Sequence, residues 1–264
     1  NAERLELAAE LRRASDQHER VVFLQRKIDI ASGRTKGAEA LVRWQHPERG
    51  LLGPGEFMSV VETTELIKPL TLQVLDMSLA ALRDLLDDGH ELSVAVNLAA
   101  GSLSDVELPS QVADALVRHG VTAEHLELEI TETSLLGDPV RVLRVLHALS
   151  EMGVTLSVDD FGTGYASLAY LTELPVDVVK IDQSFIRDLS DAHNLAVTRY
   201  SIELARTLGL ETVAEGVEDP LTLDMLHSLG CDLAQGYHFS RPLPVDDFAR
   251  WIERRSTTTH LETT

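Results

Sequence analysis

Eight short apolar or alternating runs, most of them separated by stretches with helical periodicity, restrict what this chain can fold into. The runs are VVFLQRKIDI, GAEALVRW, LSVAVN, LELEI, TLSVDD, VDVVKID, ETVAE and CDLAQG. Between several of them lie LTLQVLDMSLAALRDLL, LPSQVADALVRHG, DPVRVLRVLHALSEMG, LAVTRYSIELARTLG and PLTLDMLHSLG, whose apolar residues recur at helical spacing. Several of these helical stretches end at a glycine, among them Gly120, Gly153 and Gly209, the usual helix stop. Asp-Pro at 138–139 and 219–220 opens two of them with a cap and a first-turn proline. Strands alternating with helices in this number predict an α/β fold, a (β/α)8 barrel. Only "ASGRTK" joins the first two runs, too short for a parallel crossover, so they are expected to pair as an antiparallel hairpin. The expected fold is therefore a modified TIM-like barrel with one antiparallel strand near the N-terminus. A chain of 264 residues can bury the core of one such domain.

Ahead of the first run, "RLELAAELRRA" reads as an amphipathic helix. Residues 1–18 are expected to be a lead-in helix from an upstream domain, 19–254 the barrel, and the Thr-rich 255–264 a disordered tail. The first residue is asparagine, which suggests a module of a longer protein. A formal net charge of −20 argues against a partner gripped along a long phosphate backbone, which requires Lys and Arg. It fits a solvated acidic surface and, with it, sites for divalent cations. The single cysteine, Cys231, excludes an intrachain disulfide and sits in an apolar stretch, where it reads as a buried structural thiol. No apolar stretch of about 18 residues is present, so the module is expected to make no membrane contact and to reside in the cytoplasm.

Most of the runs finish on a polar residue that packing alone does not explain. LSVAVN ends on Asn97, LELEI carries Glu129 near its end, and TLSVDD ends on Asp159 and Asp160. Lys180, Glu215 and Gln235 close or follow the next three. Barrel sites are assembled from different strands at the C-terminal face, so these side chains should converge. The donor set is carboxylate and carboxamide oxygen, which suits Mg²⁺ or Mn²⁺. His46, His125 and His147 lie in turn or helix contexts and read as surface residues. Asp159 and Asp160 cannot both face the barrel as regular strand residues, because side chains alternate. A turn made possible by the following "FGTG" is expected to bring both to the site, where two cations would relieve their repulsion.

The same residues carry a family likeness. "EALVRW" (39–44), "VNLAAGSL", "LELEITET", "SVDDFGTGYASL", "LPVDVVKID", "TVAEGVE" and "AQGYHFSRP" resemble, in order, the motif blocks of the EAL-domain cyclic-di-GMP phosphodiesterases. The likeness covers roughly residues 20–250. It implies a barrel with one antiparallel strand and hydrolysis of cyclic-di-GMP to linear pGpG with two Mg²⁺ or Mn²⁺ ions. It further implies that Glu39, Asn97, Glu129 and Asp159 hold one ion and that Asp159 and Asp160 reach the second. Lys180 and Glu215 would position or deprotonate the attacking water, and Gln235 would support the water network. Glu132 would steady the DDFGTG loop, and Gln25 and Arg43 would contact substrate; a guanidinium suits a phosphate. Where the family often reads Tyr-Gln-Pro, this chain has Leu24-Gln25-Arg26, a departure expected to loosen the strand or alter guanine contacts. The resemblance also implies an upstream diguanylate cyclase or sensor domain and a homodimer. Two rival readings are a receptor that binds cyclic-di-GMP without cutting it and a barrel enzyme whose lysine base deprotonates a carbon acid. The complete ligand and water-handling set speaks against the first, and the Asp159–Asp160 pair against the second.

Overall fold

Strand β1 (Arg20–Asp29) runs antiparallel to β2 (Thr35–His46), with Gln25 opposite Glu39, and the two form the hairpin that the short connection requires. The structure, a computed structural model, describes residues 2–16, 19–136, 138–163 and 171–259. From β2 the sheet continues in parallel through β4 (Ser93–Leu98), β5 (Leu126–Thr131), β6 (Thr155–Phe161), β7 (Val178–Ile181), β8 (Glu211–Ala214) and β9 (Leu233–Ala234). β9 then pairs antiparallel with β1, at Asp29 and Ile28, and closes an eight-stranded barrel. This is the expected modified TIM-like barrel. Two short strands escaped the sequence reading: β3 (Gly50–Leu52) extends β2, and β10 (Leu243–Pro244) pairs with the start of β1. Two or three residues are too few to show a periodicity.

Helices α2 (Pro54–Val61), α3 (Ile67–Asp87), α4 (Leu108–His119), α5 (Pro139–Glu151), α6 (Gln183–Ile186), α7 (Ala192–Leu208) and α8 (Pro220–Leu229) follow the strands. Local chemistry fixes their ends. Asp138, Asp191 and Asp219 cap α5, α7 and α8 by accepting backbone N–H bonds through their carboxylates. Gly120 and Gly209 end α4 and α7 with left-handed φ of 63° and 74°. The outward strand residues and inward helix faces make the core, in which Trp44, Phe57, Phe248, Leu79, Leu126 and Leu128 are fully buried. Exclusion of this apolar surface from water supplies the main driving force for folding.

The lead-in segment forms α1 (Ala2–Asp16), and its Leu7, Leu11 and Ala14 are buried in the same core. Arg20 of β1 donates to the Leu11 carbonyl at 2.7 Å, which ties the helix to the barrel. His46 departs from the surface placement expected of it. It is buried at the end of β2, edge-on to Trp44 at 4.7 Å, with Nε2 3.3 Å from Glu10 of α1. Packing of α1 over the strand end covers it, and no local pattern at residue 46 announces that contact. His147 is exposed on α5, and His125 is half-buried with Nδ1 on the Leu92 carbonyl. The last helix, α9 (Val245–Thr259), carries the chain past residue 255, where the tail was expected to begin; residues 260–264 lie outside those described.

The departure at 24–26 has a different consequence from the one expected. Alternation along β1 points Gln25 into the barrel and turns Leu24 and Arg26 outward to the helices. Leu24 is 1% exposed in the apolar core, and Arg26 lies with its guanidinium 3.8 Å from the Trp251 ring centre and 5.5 Å from that of Phe239. Arg26 therefore fastens β1 to α9 instead of meeting a ligand. Arg26→Ala is expected to lower stability by about 1–2 kcal/mol, the worth of a desolvated cation–π contact, and to leave KM unchanged. Chemical denaturation and steady-state kinetics check the two halves.

Cys231 is buried against the backbone of β8 and β9, and burial pushes its thiol up to about 12. It should not react with thiol reagents until the protein unfolds, which labelling along a denaturation curve would show.

Candidate active site

The inward side chains at the C-terminal ends of the strands meet around the ammonium of Lys180. Its Nζ lies 2.8 Å from Glu215, 2.9 Å from Glu129, 3.3 Å from Asp159 and 3.7 Å from Glu39. Sheet register explains the convergence. Asn97 pairs with Glu129, while Asp159 pairs with Thr131, two residues beyond Glu129, so successive strands deliver their polar residues to the same C-terminal end of the barrel. Glu39, from β2, accepts hydrogen bonds from Asn97 Nδ2 at 2.8 Å and from Gln235 Nε2 at 2.6 Å. Gln235 also donates to Gln25 Oε1 at 3.2 Å, which ties the antiparallel strand to the ring.

The paired aspartates reach the site by a device the sequence only half revealed. Between Val158 and Phe161 the pairing of β6 with β7 slips by one residue, so the strand carries one extra residue there. Asp160 takes it up with a left-handed φ of 56°, alone among described non-glycine residues, and its N–H donates to Asp159 Oδ1 at 2.9 Å. Both carboxylates thus face the bowl before the first glycine of the loop is reached. Oxygens of Asp159, Asp160 and Glu215 lie within 4.8 Å of one another.

The electrostatics of the bowl are uneven. Burial would raise Glu39, but the Lys180 charge and the amides of Gln235 and Asn97 outweigh it and hold the carboxyl at about 2. Burial, reinforced by the Glu39 charge, pushes Glu129 well above the usual carboxylate range. Burial also raises Glu215 to about 7, with Asp159 and Glu39 adding repulsion that Lys180 only partly offsets. Asp160 is raised by burial and then by its neighbour Asp159, and it shares a hydrogen bond with Asp182. Burial would lower Lys180, yet the surrounding carboxylates hold it well above its ordinary value. Inside the barrel, Glu39, Glu127, Glu129, Asp159 and Glu215 face only Lys27 and Lys180 among the described residues. A buried excess of anions in an all-oxygen donor set fits divalent cations.

Above the bowl opens a cavity of about 390 Å³. Gln25, Glu39, Asp159, Glu215 and Gln235 form its floor, and Arg43, Arg187, Glu218 and Tyr237 stand in its wall. Arg43 is held by a bond to the Val42 carbonyl at 2.9 Å, with the Phe23 ring 5.5 Å away. Gly236 lets the backbone pass close beneath the wall, since a Cβ there would fall 2.1 Å from the Val217 carbonyl oxygen.

Comparison with known proteins decides what kind of barrel this is. The EAL domain family matches residues 8–242. The chain belongs to the EAL domain family. A bifunctional diguanylate cyclase/cyclic di-GMP phosphodiesterase, MucR of Pseudomonas aeruginosa, is 42% identical over 246 residues, 92% of this chain and 36% of MucR. NbdA of the same organism, a cyclic di-GMP phosphodiesterase, is 43% identical over 243 residues, 91% of this chain and 31% of NbdA. The chain thus spans about a third of the length of these curated relatives. A solved PaMucR phosphodiesterase in complex with c-di-GMP superposes with a TM-score of 0.89 at 41% identity, covering 92% of this chain and 99% of that one.

Of the residues singled out in the sequence, this EAL barrel gathers Gln25, Glu39, Asn97, Glu129, Asp159, Lys180, Glu215 and Gln235 into one contact network. Asp160 and Arg43 border the same site. Glu132 is buried in the turn Glu132–Leu136, one residue beyond the Thr131–Asp159 pairing. The far part of the loop it was expected to steady, 164–170, lies outside the described residues. Sequence reasoning missed Lys27, Glu127, Asp182, Arg187, Glu218 and Tyr237. Alternation was the available signal for two of them: Gln25 and Lys27 share a face of β1, and Glu127 and Glu129 share a face of β5.

Proposed function

We propose that this domain hydrolyses cyclic-di-GMP to linear pGpG with divalent cations, Mg²⁺ or Mn²⁺. The observation that carries the reading is the bowl of carboxylates from separate strands beneath a cavity walled by arginine and aromatic side chains. Glu39, Asn97, Glu129 and Asp159 would hold one cation. Asp159 and Asp160 would reach a second, and the closeness of Glu215 to both supports adding it to that set. Bound cations supply activation of a water and stabilisation of the leaving oxygen.

The chain's own residues do the rest. Arg43, at the cavity wall, pairs with a phosphate of the substrate. Tyr237 is half exposed in the wall with the Arg241 guanidinium over its ring at 4.5 Å, and it offers a face on which a guanine can stack. Gln25 hydrogen-bonds the substrate, while Gln235 holds Gln25 and Glu39 in place. Lys180 and Glu215, in contact at 2.8 Å, position the attacking water, and Glu215, raised to about 7, is the one of the two able to take its proton. Glu132 supports the loop that carries the aspartates. In the family a homodimer tied to that loop and an upstream cyclase or sensor domain are expected, and the name of MucR accords with the latter. No described helix is long and apolar enough to cross a membrane, which accords with a module working in the cytoplasm.

Incubation of the chain with cyclic-di-GMP and Mg²⁺ or Mn²⁺, followed by chromatography, tests the proposal. The expected product is pGpG, abolished by EDTA. Intact substrate, bound but uncut with either metal, would favour the receptor reading or an enzyme switched off when cut from its regulatory domains, and the same assay on the full-length protein would separate the two.

A further inference from the structure

Below the carboxylate bowl, deeper in the barrel, Lys27 Nζ lies 2.6 Å from Glu127 Oε2 and 3.3 Å from Glu129 Oε1. The three side chains are 2%, 6% and 1% exposed. Barrel interiors of this type are ordinarily filled with branched aliphatic residues. A buried ion pair is no more stabilising than apolar residues of the same volume, so stability alone does not account for it. Its geometry does. Glu129 has two oxygens, one facing Lys27 and the other 2.9 Å from Lys180 at the level of the strand ends.

We infer that Lys27 is a positioning residue for the metal site, its ammonium holding Oε1 of Glu129 so that Oε2 is presented upward to a cation. Glu127 completes the device by cancelling the charge of Lys27, so that the donor orients Glu129 without repelling what Glu129 binds. This rests on Glu129 being a metal ligand, as proposed above. Groups that orient ligands from behind are worth about 10- to 100-fold in metal affinity.

Mn²⁺ binding to the whole chain, followed by electron paramagnetic resonance without substrate, tests the inference together with thermal melting. Lys27→Met is expected to weaken Mn²⁺ binding by about 10- to 100-fold. The double variant Lys27→Met/Glu127→Leu replaces the pair with apolar groups of similar size and should melt near the wild type. Its Mn²⁺ binding should stay as weak as that of Lys27→Met. Glu127→Gln keeps the donor to Glu129 but leaves the charge of Lys27 uncancelled, so it should bind Mn²⁺ less tightly than the wild type yet more tightly than Lys27→Met; should the double variant not fold, this comparison decides. Wild-type affinity in the double variant, or equal losses in Glu127→Gln and Lys27→Met, would overturn the inference and leave the pair as a filler. A wild-type chain that binds no Mn²⁺ would instead sink the metal reading itself.

Discussion

Glu39→Ala is expected to lower turnover of cyclic-di-GMP by about 10³-fold or more. A metal is worth several kcal/mol of transition-state stabilisation, and each 1.36 kcal/mol is a factor of about ten. Glu39 also organises its neighbours, because it accepts from Asn97 at 2.8 Å and from Gln235 at 2.6 Å. Its removal therefore loosens both amides as well as deleting a ligand. Stability should fall as well, since Lys180 and the amides of Gln235 and Asn97 hold the Glu39 carboxyl at about 2 and so favour the charged group in the fold. Substrate should still associate weakly through Gln25 and Arg43, which calorimetry would detect. Undiminished turnover by this variant would remove Glu39 from the ligand set.

Lys180→Met is expected to be the most destabilising single change in the site. Lys180 is fully buried and is within 4 Å of Glu39, Glu129, Asp159 and Glu215, which would be left facing one another. Breaking a buried ion pair costs about 3–5 kcal/mol. For a domain of this size that is a melting temperature lower by on the order of 10 °C. The repulsion left behind is one that cations relieve, so Mn²⁺ should raise the melting temperature of the variant by more than that of the wild type. Turnover should drop by about 10²-fold or more, as for loss of a group that positions the attacking water. Wild-type stability in this variant without Mn²⁺ would contradict the central place given to Lys180.

What the sequence discloses about this fold follows from where the constraints are local. The alternation of runs and helical stretches reveals the eight barrel strands, and the six residues of "ASGRTK" alone enforce the antiparallel hairpin. β3 and β10 stay hidden because so few residues carry no period. In the site, the strand-end positions stand out because Asn97, Glu129, Asp159, Lys180, Glu215 and Gln235 interrupt or follow apolar runs. Lys27 does not stand out. It sits in "QRKID" beside Arg26, and nothing in that string tells that one cation enters the barrel and the other packs on Trp251. Only strand phase separates them, and the phase follows from Gln25 and its contact with Gln235. The route of Asp160 into the site was legible as a need for a turn, but not as a left-handed residue within a slipped register. His46 is buried by α1, a contact between elements whose sequences say nothing of one another.

The claim on which the rest depends is that strand-end carboxylates hold divalent cations beneath the substrate cavity. Diffraction from crystals grown with Mn²⁺ and cyclic-di-GMP, recorded for the anomalous signal of manganese, tests it most directly. The account predicts one peak among Glu39, Asn97, Glu129 and Asp159, and a second beside Asp159, Asp160 and Glu215. Cyclic-di-GMP in the cavity with no manganese at the strand ends would contradict it.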